Sequence, residues 1–279
     1  MTAARSHPPT LLKLAERCLR DEIRLPRGAR VLVATSGGPD SMALLDVLAA
    51  LQAPLHLSIV AHGVDHGLRA AAASELDLAE AHAEELGVPF ARTKVDVPAG
   101  GDLQARTRKA RHAALERARA RARATFVATA HHMDDRAETV LMRILRGAGA
   151  GGLAVLPARD EKLIRPLIRA RKRDVLLHLE RHGVRFATDP SNADPRFLRA
   201  RVRLDVMPML ESLDPSIVAH LCALADDLAS AREEGSGVYR IPRAARVALA
   251  TLASGKKPRA TVLLPGGLIV KKGLKKGPK

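Results

Sequence analysis

Hydrophobic and polar positions along this chain follow two periods that exchange places repeatedly. Val31-Leu32-Val33-Ala34-Thr35 is a short apolar, partly β-branched run; beyond Ser36-Gly37-Gly38-Pro39-Asp40-Ser41, apolar Met42, Leu45, Leu48 and Leu51 recur at helical spacing. The pattern predicts strand, tight loop, helix. Leu55 to His62 predicts a second, buried strand, and Ser74 to Gly87 a helix ended by glycine. Val88 to Val97 predicts a third strand, Leu103 to Arg123 a long helix, Thr125 to Ala130 a fourth strand, and Met133 to Arg146 a helix closed by Gly147. Such alternation predicts an α/β fold with a doubly wound, Rossmann-like parallel sheet whose ligand crevice lies at the carboxyl ends of the strands. Ser36, His62 and His131 fall at those ends. An amphipathic helix over residues 10 to 24, carrying Leu11, Leu14 and Cys18, precedes the first strand.

Beyond Gly147-Ala148-Gly149-Ala150-Gly151-Gly152, a flexible linker by composition, the regular alternation is expected to stop. A basic helix near Lys172 to His182, a turn at Asp189-Pro190-Ser191-Asn192, and helices from about 197 to 210 and 214 to 232 follow. From Lys256 onward there are eight basic residues and no acid. The expected division is a catalytic domain over 1–213 and a small helical, basic C-terminal region over 214–279 that contacts a polyanion.

Charge sharpens this picture. Among 279 residues, 46 Lys and Arg stand against 30 Asp and Glu, a formal +16, which calls for a polyanionic partner. No apolar run approaches the ~18 residues of a spanning helix. His7-Pro8-Pro9 with Lys13, Glu16 and Arg17 interrupts any signal-peptide core. A cytoplasmic chain with no membrane partner is therefore expected. The two cysteines, Cys18 and Cys222, sit far apart inside apolar helical patterns and read as buried reduced thiols.

The glycine loop carries the first candidate chemistry. Backbone N–H groups at a helix N-terminus favour an anion, and glycine lets the backbone approach it. Asp40 would repel a phosphate unless a cation lay between them, so an Mg²⁺-nucleotide is the implied guest. The loop has neither the Walker ending nor Gly-x-Gly-x-x-Gly, and an ordinary βα turn capped by Asp40 or Ser41 is the alternative. His62-Gly63-Val64-Asp65-His66-Gly67 reads as a loop forming a wall against base or ribose, its glycines arguing against zinc-binding histidines on a helix. In Ala130-His131-His132-Met133-Asp134-Asp135-Arg136-Ala137-Glu138, the acids crowd the first turn of a helix. Part of that acidity is capping, but Asp135 and Glu138 share a face and form a lip suited to Mg²⁺ or to the ammonium of a cationic substrate. Arg108 and Arg111 on the long helix, and Arg196, Arg199, Arg201 and Arg203 further on, are candidate phosphate contacts, with Phe197 the nearest aromatic for base stacking.

Ser-Gly-Gly-Pro-Asp-Ser, His-Gly-Leu-Arg, Ala-Thr-Ala-His-His-Met-Asp-Asp-Arg-Ala-Glu-Thr, Arg-Pro-Leu and Asp-Pro-Ser-Asn with downstream arginines occur here in that order. Together they resemble the tRNA(Ile)-lysidine synthetase family of N-type ATP pyrophosphatases, over roughly residues 25 to 215. The resemblance implies an adenine nucleotide alpha hydrolase-like fold and an enzyme that adenylates C2 of the first anticodon cytidine of tRNA(Ile) with a CAU anticodon. Free L-lysine then displaces AMP. It implies ATP held by Ser36, Gly37, Gly38, Pro39, Asp40, Ser41, Arg108 and His132, with Asp40 as the Mg²⁺ ligand. It implies lysine held by Asp134, Asp135 and Glu138, and a reacting centre bordered by His131, Asp40, Asp135, Glu138 and Arg203, with Asp189 and Asn192 shaping a loop. Contacts to tRNA would come from Arg111, Arg196, Arg199 and Arg201. This chain departs from the family pattern at Gly63, an apparent insertion, at Ala200 where asparagine is usual, and in a short C-terminal part ending in a Lys-rich tail from Lys271. The oligomeric state is left open, a homodimer included. Rival readings are a tRNA thiolase of related fold, which needs Cys-x-x-Cys pairs, and a non-catalytic basic RNA-binding module.

Overall fold

The computed structural model describes residues 9–65, 67, 71–96, 103–188, 194–233, 261–263 and 269–271. Thr10 opens the first helix, its hydroxyl accepting the Lys13 N–H at 3.3 Å, and α1 (Leu11–Arg17) passes into a π-helical turn over Cys18–Glu22. The chain continues through β1 (Arg30–Thr35), α2 (Pro39–Ala50), α3 (Gln52–Leu55), β2 (Ser58–Asp65), α4 (Ala71–Glu85), β3 (Phe90–Lys94), α5 (Leu103–Arg121) and β4 (Phe126–Ala128). Then come α6 (Met133–Leu145), α7 (Ala150–Leu153), β5 (Arg159–Asp160), β6 (Leu163–Ile164) and α8 (Lys172–His182). Last are α9 (Leu198–Arg201), a second π-helical turn over Val202–Val206, α10 (Met207–Leu213), α11 (Ile217–Glu233), β7 (Thr261–Leu263) and β8 (Ile269–Lys271). These form two compact units: Met1–Arg136 with Leu156–Pro195, and Ala137–Val155 with Arg196–Lys279.

The first unit holds a six-stranded sheet in the order β3-β2-β1-β4-β6-β5. All neighbours are parallel except β5, which folds back on β6 as an antiparallel edge. Because β1 is followed outward by β2 and β3 on one side and by β4 on the other, the strand order reverses between β1 and β4. That reversal opens the crevice in which a doubly wound sheet binds its ligand. Alternation along β1 explains why both faces are covered. Val31 and Val33 join a core with Leu19, Ile23, Leu44, Leu45 and Leu48, whereas Leu32 and Ala34 join Val60, Leu115 and Val127 on the other face. Each fully buried Leu or Val contributes about 1.5–3 kcal/mol, so this strand is fixed in register from both sides. Cys18 and Cys222 are buried thiols, as expected, and burial pushes the Cys18 thiol up to about 12.

Two expectations are corrected here. The second strand does not end at His62 but runs on to Asp65, with Gly63 opposite Thr35 and His62 opposite Ala34. A Cβ on Gly63 would lie 2.6 Å from Leu76 Cδ2 and 3.2 Å from Phe90 Cζ, so the glycine serves close packing within a strand and marks no turn. His62 is accordingly a buried residue of the sheet, bonded to Thr93 Oγ1 at 3.0 Å, and forms no lip at a strand end. His66, Leu68 and Arg69 lie outside the described residues. The alternation also does not stop at the glycine-rich stretch. Gly149 caps α7, and β6 then joins the parallel sheet beside β4.

In the second unit α7 packs on α11. Leu153, Val155, Val202, Met207, Val218, Cys222 and Ala225 are buried, and Arg143 Nη1 donates to the Gly152 carbonyl at 2.5 Å. Ala200, at the position where the resemblance implies asparagine, is buried on α9. Strands β7 and β8 form an antiparallel pair.

Candidate active site

The loop between β1 and α2 is built from its own hydrogen bonds. Ser41 Oγ donates to the Gly38 carbonyl at 2.9 Å and accepts the Ser36 N–H at 3.1 Å. Its single proton being spent on Gly38, the Ser36 hydroxyl must donate to Ser41 Oγ, 3.2 Å away. Gly37 sits at φ +76°, and a Cβ there would strike the Glu75 carbonyl. The Gly37 carbonyl accepts the Ala187 N–H at 2.9 Å, which ties the loop to the segment after α8. Gly38 is the N-cap of α2 and brings no capping side chain, and Pro39 starts the helix without an N–H of its own. The Asp40 and Ser41 N–H groups therefore open the helix without intrahelical acceptors, an arrangement that favours an anion.

Across the strand-order reversal, the end of β4 supplies the acids. His132 precedes α6 and acts as an unusual N-cap: its Nδ1 faces the Asp135 N–H at 3.4 Å, while Asp135 Oδ2 accepts the His132 N–H at 3.2 Å. This is the reciprocal pattern of a capping box with imidazole in place of a hydroxyl. His132 is 3% exposed and stands 3.6 Å from Asp40, 3.5 Å from Asp134 and 3.4 Å from Asp135. Burial opposes its charge, but these three carboxylates outweigh it and raise its pKa. His131 bonds Thr129 Oγ1 through Nδ1 at 3.0 Å.

Asp134 is tied down. It accepts Arg171 Nε at 3.0 Å and the Lys172 backbone N–H at 2.7 Å. Burial favours its neutral form, yet His132, Arg171 and that N–H hold its carboxyl well below the usual range. Asp40 in turn accepts Lys172 Nζ at 2.5 Å. Lys172 and Arg171 were missed as site residues, although a signal existed: cations at a helix N-terminus run against the dipole and need carboxylate partners to stay there. Asp174 reaches back to the Arg171 N–H at 2.8 Å and completes the start of α8.

Positive charge is crowded on the same unit. Burial and then Arg108 push Arg111 down, and burial, Arg108 and Arg136 do the same for Arg165. Arg108 is exposed, whereas Arg136 and Arg165 are buried, with Arg165 Nη1 donating to the Pro157 carbonyl at 2.7 Å. Such crowding stores repulsion that a bound polyanion would relieve.

In the second unit Glu138, 3% exposed, accepts Arg203 Nε at 2.6 Å, Arg203 Nη2 at 2.9 Å and Arg199 Nε at 3.0 Å. Its negative charge is thus neutralised by two arginines of one helical stretch, Arg203 and Arg199. Arg196 and Arg201 are exposed, as is Phe197, the N-cap of α9. Asp189 and Asn192 lie outside the described residues.

Comparison with known proteins accords with this arrangement. Residues 12–210 match the model of the PP-loop domain family, ATP_bind_3. The chain is 39% identical to a tRNA(Ile)-lysidine synthase of Thermobifida fusca over 79% of its own length and 69% of that protein's. It is 40% identical to one of Novosphingobium aromaticivorans (72% and 63%) and 43% identical to one of Rhodopseudomonas palustris (64% and 54%). It spans about half to two thirds of the length of these relatives. In fold it is similar to the U34-tRNA thiolase NcsA of Methanococcus maripaludis with its [4Fe-4S] cluster, at TM-score 0.66 and 22% identity over 78% of this chain and 79% of that one. The glycine loop, the acids behind β4 and these matches together make the chain a member of the PP-loop domain family, and within it of the tRNA(Ile)-lysidine synthases.

Proposed function

We propose that this chain joins free lysine to C2 of the first anticodon cytidine of tRNA(Ile) with a CAU anticodon, through an adenylated base, releasing pyrophosphate and AMP. The observation that carries the reading is the convergence of Ser36–Ser41, Lys172 and the Asp40, Asp134 and Asp135 carboxylates around His132 at the strand-order reversal. ATP phosphates would lie on the N-terminus of α2, with Lys172 turning from Asp40 toward them. Mg²⁺ fits this site, because one or two carboxylates plus phosphate oxygens are its usual ligands. Asp40 would hold it together with the phosphate oxygens, and it would supply charge neutralisation for the phosphates.

Adenylation makes C2 electrophilic: its oxygen attacks the α-phosphorus, and pyrophosphate leaves. The lysine amine then bonds to C2 while AMP departs with the former carbonyl oxygen. That amine must first lose a proton, a transfer worth ~10²- to 10⁴-fold in rate. Asp135, whose Oδ2 stands 3.4 Å from His132 Nε2, would serve as that acceptor. Glu138, held by two arginines, acts as a positioning residue for Arg203. The +16 charge, with exposed Arg196 and Arg201, serves the tRNA backbone. A thiolase of the same fold is disfavoured, since Cys18 and Cys222 are the chain's two cysteines and cannot form a Cys-x-x-Cys pair.

Radiolabelled lysine tests the proposal. It should enter tRNA only with ATP and Mg²⁺ and only where the anticodon begins with cytidine; sulfur transfer, or equal labelling of every tRNA, would refute it.

A further inference from the structure

Asp46 is a carboxylate inside the apolar run of α2, between Leu45 and Val47, and is distinct from the acids of the candidate active site. Three imidazoles converge on it. His178 Nε2 stands 2.7 Å from Oδ2, His182 Nδ1 3.7 Å from the same oxygen, and His82 Nε2 3.5 Å from Oδ1. His178 and His182 are one turn apart on α8, and their rings stack with centroids 4.2 Å apart. One donor atom each from Asp46, His178 and His182 lies within 4.8 Å of the others. His82 Nε2 is buried without a hydrogen-bond partner.

Donors about 2.0–2.2 Å from a tetrahedral centre stand about 3.3 Å from one another, and the observed separations of 2.7 and 3.7 Å from Asp46 Oδ2 to His178 and His182 bracket that value. Imidazole-rich sets suit zinc and its transition-metal neighbours and do not suit Mg²⁺. The i, i+4 histidine pair on one helix face is a spacing well suited to such ions.

We propose that Asp46, His178 and His182 bind a divalent transition-metal ion, zinc by ligand type, with His82 against the other Asp46 oxygen. The ion would clip α2 and α8 together. α2 begins at the glycine loop and α8 begins at Lys172, which grips Asp40, so the clip would set the spacing of the two helix starts that frame the candidate phosphate site.

The test is cobalt titration of tag-free, chelator-treated full chain. One Co²⁺ per chain should bind with the visible bands of a four-coordinate site and be displaced by Zn²⁺. His182 is 54% exposed at its side chain, so His182→Ala should keep the Tm of the chelated protein while weakening cobalt binding about 100-fold or more; His178→Gln is the second variant. Zinc at a hundredfold over its Kd should raise the wild-type Tm by about 5 °C or more and leave that of His182→Ala unmoved. Asp135→Asn should retain the cobalt spectrum. No cobalt binding, cobalt binding as tight as wild type in both histidine variants, or loss of the spectrum in Asp135→Asn, which would put the ion among the acids around His132, overturns the proposal.

Discussion

Replacing Gly37 by alanine should damage the protein far more than the same change at another left-handed glycine. Gly37 has φ +76° and Gly183, past the end of α8, has φ +63°. An alanine at either position pays about 1–2 kcal/mol for the left-handed backbone. The surroundings then separate them. Nothing lies within 4 Å of a Cβ on Gly183, whereas a Cβ on Gly37 collides with the Glu75 carbonyl of α4, backbone that cannot rotate away. Overpacking of that kind costs a further ~1–3 kcal/mol, so Gly37→Ala should lose about 2–5 kcal/mol and Gly183→Ala about 1–2 kcal/mol. Urea unfolding midpoints of the two variants measure the difference. Because α4 and the Ser36–Ser41 loop must part to admit the methyl group, the KM for ATP in pyrophosphate release should rise at least tenfold for Gly37→Ala and stay unchanged for Gly183→Ala. Equal destabilisation of the two, or a wild-type KM in Gly37→Ala, would refute the steric reasoning.

The remaining expectations concern charge. Lys172→Met removes the cation that Asp40 and an incoming phosphate share, and pyrophosphate release should fall about 10²- to 10³-fold, the usual loss for one transition-state donor; an unchanged rate removes Lys172 from the site. Glu138→Gln keeps the shape but gives up charge-assisted bonds to two half-exposed arginines, so it should cost about 1–3 kcal/mol, read as a lower urea midpoint, and Arg203→Lys should cost less. The Asp46 cluster sets a pH window in chelator-treated protein. Burial opposes the Asp46 charge, but the imidazoles of His178 and His82 beside it depress its pKa below the ordinary 3.8, so its contribution is present above that value and is lost as pH falls through the depressed one. The neighbouring Asp46 carboxylate leads the causes that raise His82 above 6.5, so the His82 contribution is full below 6.5 and is lost as pH rises through the raised value. Asp46→Asn should flatten both limbs of stability against pH; an unaltered profile would contradict the pairing.

How far the sequence carried the fold can be judged from particular elements. Helix α8 was legible to the residue, Lys172 to His182, because its glycine stop and apolar spacing are local signals. The order of strand, loop and helix at Ser36 was equally local. Gly63 misled, since a glycine required by the approach of Leu76 and Phe90 looks the same in sequence as one required by a turn. The two-residue strands β5 and β6 escaped notice because such short runs have no period to read. At the site, the loop and the acid cluster were visible as motifs, but their partners were not. Lys172 lies 132 residues from Asp40, and Arg199 and Arg203 lie 61 and 65 residues from Glu138. Pairings across such separations are decided by tertiary packing.

The central claim is that the Ser36–Ser41 turn grips the phosphates of ATP. A crystal of the protein with a non-hydrolysable ATP analogue and Mg²⁺ tests it most directly. The account predicts triphosphate density on the N–H groups of Asp40 and Ser41 and within reach of Lys172. Triphosphate bound elsewhere, with the loop unchanged and Lys172 still on Asp40, would contradict it.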